Sequence, residues 1–152
     1  MISLQAFWMG RDRQYAGELT DEIRENAEET LGKVNALLER AGFENINAVA
    51  SGWRPRVLND VTSNAGKKSK HITAEAIDIP DADRKLAHWC LDNLDVLQEI
   101  GLWMENPRWT WSAKGNHWLH LQIVPPESGR RVYVPSNAPP LDPDFPMPEN
   151  VA

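Results

Sequence analysis

The chain carries a single cysteine, Cys90, so an internal disulfide is impossible and every zinc site built mainly from thiolates is excluded. Any metal must be held by histidines and carboxylates. No apolar run approaches the roughly 18 residues of a membrane helix, and residues 1–10 lack the basic start and long apolar centre of a secretory signal. The expectation is a protein without membrane insertion and cytoplasmic when made. Basic residues are in deficit: 16 Lys and Arg against 22 Asp and Glu give a net charge of −6, which opposes attraction to nucleic acid or anionic lipid. There is no internal repeat and no internal linker. With 152 residues, 41% of them hydrophobic, the chain is long enough for one domain with a core that needs no staples, and a monomer is expected.

What is abundant is tryptophan and C-terminal proline. Seven Trp outnumber the five Phe and Tyr combined, and indole pairs a broad apolar face with a polar N–H suited to half-exposed sites. Six of the eleven prolines fall in the last 18 residues, which rules out helix there. The expected division is a domain over residues 1–134 and an extended tail over 135–152 that either lies on the domain or moves freely.

Between these features the pattern is α+β. Thr20 reads as an N-cap, with Asp21 and Glu22 at the positive end of a helix whose apolar stripe is Ile23, Ala27, Leu31, Val34, Leu38 and Ala41, stopped by Gly42. A short buried strand is predicted over 46–50, then a Gly-Trp-Arg-Pro corner at 52–55, a polar loop over 59–70 and a strand over 76–79. Asp81 and Asp83 can cap a second helix that turns Leu86, Trp89, Cys90, Leu94, Leu97 and Ile100 inward and closes at Gly101. Strands follow at 102–105, 117–124 and 132–134. The predicted architecture is a small antiparallel or mixed sheet with helices on one face.

The four histidines differ in promise. His88 falls outside the apolar stripe of the second helix and reads as a partly exposed helix residue. His71 and Asp78, seven apart, converge on one ion only if the intervening turn folds back. His117 and His120, three apart, point to opposite faces of a regular strand unless Gly115 and Asn116 introduce a kink.

Taken together, three segments resemble the zinc-dependent M15 peptidases, which include D-alanyl-D-alanine carboxypeptidases and dipeptidases and phage L-alanyl-D-glutamate endolysins. Ser51-Gly52-Trp53-Arg54-Pro55 is similar to that family's strand-end Arg segment. Ser69 to Asp78 is similar to its Ser-x-His-x-x-Gly-x-Ala-x-Asp motif, with Ala74 in place of the Gly. His117-Trp118-Leu119-His120 occupies the place of its Glu-x-x-His. The likeness covers about residues 46–124 and implies a hedgehog/DD-peptidase-like fold.

The resemblance further implies that His71, Asp78 and His120 hold a zinc ion, with Ser69 fixing the loop behind it. Two imidazoles and one carboxylate leave a fourth tetrahedral position for water, the arrangement of catalytic rather than structural zinc. Arg54 would face a peptide carboxylate or the oxyanion of the transition state. The family's basic Glu is replaced here by His117, which has the motif position, while Glu105 is a rival base with better acid–base character beside zinc. Trp53 and Trp118, and to a lesser degree Trp109 and Trp111, are candidate cleft walls. The implied function is hydrolysis of peptidoglycan stem-peptide bonds beside a D-amino acid, as carboxypeptidase or endopeptidase. Such an enzyme would act on wall fragments, be released by phage lysis or ride on a virion. The alternative is a binding module for cell wall or peptide on the same fold, without turnover.

Overall fold

A computed structural model describes residues 1–62, 65–136 and 139–151, and its architecture is α+β. The short helices α1 (Leu4–Trp8) and α2 (Arg11–Gln14) lead through a 3₁₀ turn into the long α3 (Asp21–Ala41). Thr20 caps α3 by accepting from the Ile23 N–H, and Gly42 ends it in the left-handed region at φ 74°. Ala27, Leu31, Val34 and Leu38 are buried as the periodicity requires, with Leu37 added, while Ile23 and Ala41 sit at the margin of the core.

Among the described residues four strands form one mixed sheet: β1 (Ala76–Pro80), β2 (Trp103–Glu105), β3 (Trp118–Gln122) and β4 (Val132–Tyr133), in the order β1-β3-β2-β4. Strand β3 pairs antiparallel with both β1 and β2, and β4 runs parallel to β2. Side chains alternate across a sheet, so this register sorts the residues into two faces. Ile77, Ile79, Leu119, Leu121, Met104 and Val132 share the apolar face and join one core with α3 and the two helices described next. Asp78, His120, Gln122, Glu105 and Tyr133 share the opposite face.

The second predicted helix is two. Helices α5 (Lys85–Asp92) and α6 (Leu94–Ile100) break at Asn93, whose φ of −131° is not helical and whose side-chain amide donates to the Trp89 carbonyl. That local bond satisfies a carbonyl the helix would otherwise use, which is how Asn interrupts helices. Both acids cap α5: Asp81 accepts from the N–H groups of Leu86 and Ala87, and Asp83 from that of Lys85. Cys90 is fully buried, and burial pushes its thiol far above the ordinary range.

The strand expected over 46–50 is absent. This segment meets β1 in an isolated bridge, where Asp78 exchanges backbone bonds with Ser51 and its carbonyl also accepts from the Ala50 N–H. It then leaves the sheet at Gly52, which passes the backbone of α1 so closely that a Cβ there would lie 2.0 Å from the Phe7 carbonyl oxygen. At α4 (Arg56–Asp60) the polar loop is in part helical.

The proline-rich segment lies on the domain, and against the expectation of no helix in it one 3₁₀ turn forms at Glu149–Val151, where Pro148 precedes the turn and its carbonyl accepts from the Val151 N–H. Phe145 is buried against Arg84 and stacks on the exposed His88, Asp142 pairs with the Arg84 guanidinium at 2.8 Å, and the Phe145 carbonyl accepts from Arg108. The part of that segment at 137–138 and 152 falls outside the described residues.

Candidate metal centre

Strand register builds half of the site. Asp78 on β1 and His120 on β3 are direct cross-strand partners on the polar face, so their side chains project from neighbouring points in one direction. His71 enters from the turn before β1, which folds back as convergence demands. The Arg54 N–H donates to the His71 carbonyl, Ser69 Oγ accepts from the His71 N–H at 3.3 Å, and the Ala74 N–H returns to the His71 carbonyl. Ala74 stands where the motif has Gly and adopts φ 60°, with its methyl buried in the core. The departure from glycine therefore places a Cβ on left-handed backbone, a conformation that disfavours one.

Potential ligand atoms of His71, Asp78 and His120 all lie within 4.8 Å of one another. His71 Nε2 is 3.3 Å from Asp78 Oδ2, His120 Nδ1 is 2.7 Å from Asp78 Oδ1, and the two imidazoles meet edge to face at 5.1 Å. Ligand atoms about 2.0–2.1 Å from a tetrahedral ion lie roughly 3.3 Å apart, so small adjustments suffice to admit one. All three residues are buried. The tautomer of His71 is fixed by the fold: Nδ1 donates to the Gly52 carbonyl at 2.9 Å, leaving the Nε2 lone pair directed at the cluster. The donor set, two imidazoles and a carboxylate, suits a divalent transition metal.

Electrostatics give the same picture. Burial alone would raise Asp78, but His71 and His120 outweigh it and hold the carboxyl well below the usual range. Burial would lower His120, yet its bond and ion pair with Asp78, helped by Glu105, lift it to about 8. The cluster thus keeps its carboxylate ionised and binds a proton where a cation fits.

Glu105 stands on the same face, beside Tyr133 in the β2–β4 register and one step from the β2–β3 pair Met104–Leu121, which sets it next to His120. Burial pushes its carboxyl up, the His120 charge pulls it down, and Asp78 pushes it up again. His117 is elsewhere. It stacks on Trp111 at 6.0 Å, and besides burial the charges that move its pKa are those of Arg84, Asp142 and Asp81. Three residues before His120, it looks away from the cluster as strand alternation requires, and the kink that would have turned it back does not bring it there.

Arg54 places its guanidinium near Asp78, whose charge raises an Arg pKa that burial lowers, and it is held by Asn59 Oδ1 at 3.2 Å and Ser51 Oγ at 3.0 Å. Trp53 is no cleft wall: it is fully buried, with its indole N–H on the Ile72 carbonyl and its ring edge-on to Trp8. The substrate-wall role expected of it fails because its ring fills the core beneath the Arg54 segment. Trp118 stays partly exposed at the β3 end of the polar face, opposite Pro80. Sequence reasoning missed Gln122, Tyr133, Asn59 and the Gly52 carbonyl. The step of two from His120 to Gln122 was the one available signal.

No family model matches the chain, and no curated protein or solved structure matches it either.

Proposed function

We propose that this protein is a zinc-dependent peptidase of the M15 type, hydrolysing peptidoglycan stem-peptide bonds beside a D-amino acid on a hedgehog/DD-peptidase-like fold. The observation that carries the reading is the buried convergence of His71, Asp78 and His120, three ligand residues drawn from two strands and a turn. When bound there, zinc supplies a Lewis acid for the scissile carbonyl and lowers the pKa of a water toward about 7.

The chain's own groups supply the rest. Glu105, on the ligand face and beside His120, accepts a proton and returns it to the leaving amine, a role that its raised pKa suits. Arg54 donates to the carbonyl oxygen or to a substrate carboxylate, its guanidinium already oriented by Ser51 and Asn59. Trp118 flanks the bound peptide at one end of the face.

A second reading, a wall-binding module without turnover, draws support from His117, which has the motif position of the base but faces Trp111. Both readings meet one experiment: purified peptidoglycan incubated with the zinc-loaded protein, with new amino termini and released D-amino acids followed by mass spectrometry. Cleavage that stops on chelation and returns with zinc supports the peptidase. Binding to the wall polymer with no new termini supports the module. Neither cleavage nor binding sinks both.

A further inference from the structure

Among the described residues one buried polar side chain on the ligand face has no part in the reading above. Gln122 is 5% exposed, two residues beyond His120 on β3, and every polar atom of its amide is engaged. Its Nε2 donates to the Val124 carbonyl at 2.7 Å. A carbonyl only accepts, so the amide nitrogen must be on that side and Oε1 on the other. There Oε1 accepts from the Tyr133 hydroxyl at 2.8 Å and faces His120 Nε2 at 3.5 Å.

A neutral imidazole has one N–H and one lone pair. His120 turns Nδ1 toward Asp78 and the cluster, so its lone pair serves an ion only if the N–H is on Nε2. An acceptor opposite Nε2 favours that tautomer, and an acceptor locked from two sides cannot rotate its amide to present a donor instead. The arrangement matches, on the second imidazole, what the Gly52 carbonyl does for His71 with the nitrogens exchanged. A backbone carbonyl is fixed by the chain. A side-chain carbonyl needs a clamp, and Val124 and Tyr133 provide it.

We propose that Gln122 is a positioning residue that holds His120 with Nδ1 toward the metal, and that Tyr133 is the lock on Gln122. This rests on the metal centre proposed above. It goes beyond it by assigning two residues from β3 and β4 that touch no ion. Outer-shell partners of this kind commonly contribute about 10–100-fold to metal affinity.

The test compares the parent with Gln122→Met, which keeps the length and removes the acceptor, and with Tyr133→Phe, which removes one hydroxyl. Zinc affinity is measured by competition with a chromophoric chelator, and the cobalt(II) form is read by its visible d–d bands. Chelator-treated samples are melted in parallel. The expected result is a loss of about 10–100-fold in zinc affinity for Gln122→Met, a smaller loss for Tyr133→Phe, and altered cobalt bands in both. Should Gln122→Met fail to fold, Tyr133→Phe and ¹⁵N shifts of His120 in the zinc-loaded parent carry the test, the protonated nitrogen being expected at Nε2. Unchanged affinity and an unchanged cobalt spectrum in folded variants would overturn the positioning role and leave the metal centre standing. A folded parent that takes up neither metal would overturn both.

Discussion

Asp78 and His120 are register partners on adjacent strands, and their side chains meet at 2.7 Å on the polar face of the sheet. Because the pairing is set by the β1–β3 ladder, the distance between them is a property of the sheet and not of a flexible loop. His71 completes the group from a turn. Removing any one of the three should therefore abolish tight metal binding while leaving the sheet intact. Elemental analysis of His71→Ala, Asp78→Ala and His120→Ala, each purified without chelator, is expected to show about one zinc per parent chain and little in each variant. Stoichiometric zinc in the variants would place the ion elsewhere.

A pH dependence follows from the cluster. In the metal-free protein Asp78 lifts His120 to about 8, and the proposed zinc ion would have to displace that proton. Apparent zinc affinity should rise about tenfold per pH unit below 8 and flatten above it, with one proton released per ion near neutrality. The stability of the chelated protein has the opposite sign. A histidine raised above its ordinary 6.5 contributes fully below about 6.5, and the contribution is lost as pH rises through about 8. The loss is on the order of 2 kcal/mol, readable by urea melts at pH 6 and 9 in chelator.

Two variants separate the candidate bases. Glu105→Gln keeps the shape of β2 and should lower kcat by about 10²–10⁴-fold while zinc content is retained. His117→Ala should leave turnover near that of the parent, since His117 faces Trp111 and Arg84. The reverse pattern would require His117 to swing to the metal in the enzyme–substrate complex.

Gly52 couples core to site. Gly52→Ala drives a methyl into the Phe7 carbonyl and displaces the carbonyl that orients His71, so a cost of about 1–3 kcal/mol and weaker zinc binding are expected together. Calorimetry with and without zinc checks both. A variant as stable as the parent would mean that α1 yields at no cost.

The proline-rich segment should contribute to stability and not to metal binding. Phe145→Ala removes a ring that is 4% exposed and packed on Arg84, at an expected cost of about 3 kcal/mol. Zinc affinity is expected to be unchanged, because no residue of the cluster touches that ring among the contacts of Phe145 with Arg84 and His88. A fall in thermal midpoint without a fall in affinity is the measurement.

Much of this was legible in the amino-acid sequence because it is local. The cap at Thr20, the stop at Gly42, the acid pair before α5 and the burial of Cys90 depend on neighbours within a few residues, as capping and helical periodicity do. The same holds for the α+β class, and for β1 as an apolar run after a polar loop. The break at Asn93 was written in one residue, but periodicity averages over such a residue and runs through it.

What lay beyond the sequence is what depends on register and direction. A spacing of seven between His71 and Asp78 says nothing of whether a turn folds back, and a spacing of three between His117 and His120 says only that a regular strand separates them. The β1–β3–β2–β4 ladder decided which residues share a face, bringing Glu105, Gln122 and Tyr133 to the cluster and sending His117 away. Trp53 went to the core for a related reason: the contact of its segment with α1 is long-range, between residues 7 and 52, and no local pattern records it. The sequence by itself determined the chemistry on offer, histidines and carboxylates with no thiol to spare. Tertiary structure alone decided which of them meet, because side-chain direction on a sheet is fixed by pairing between strands 42 residues apart.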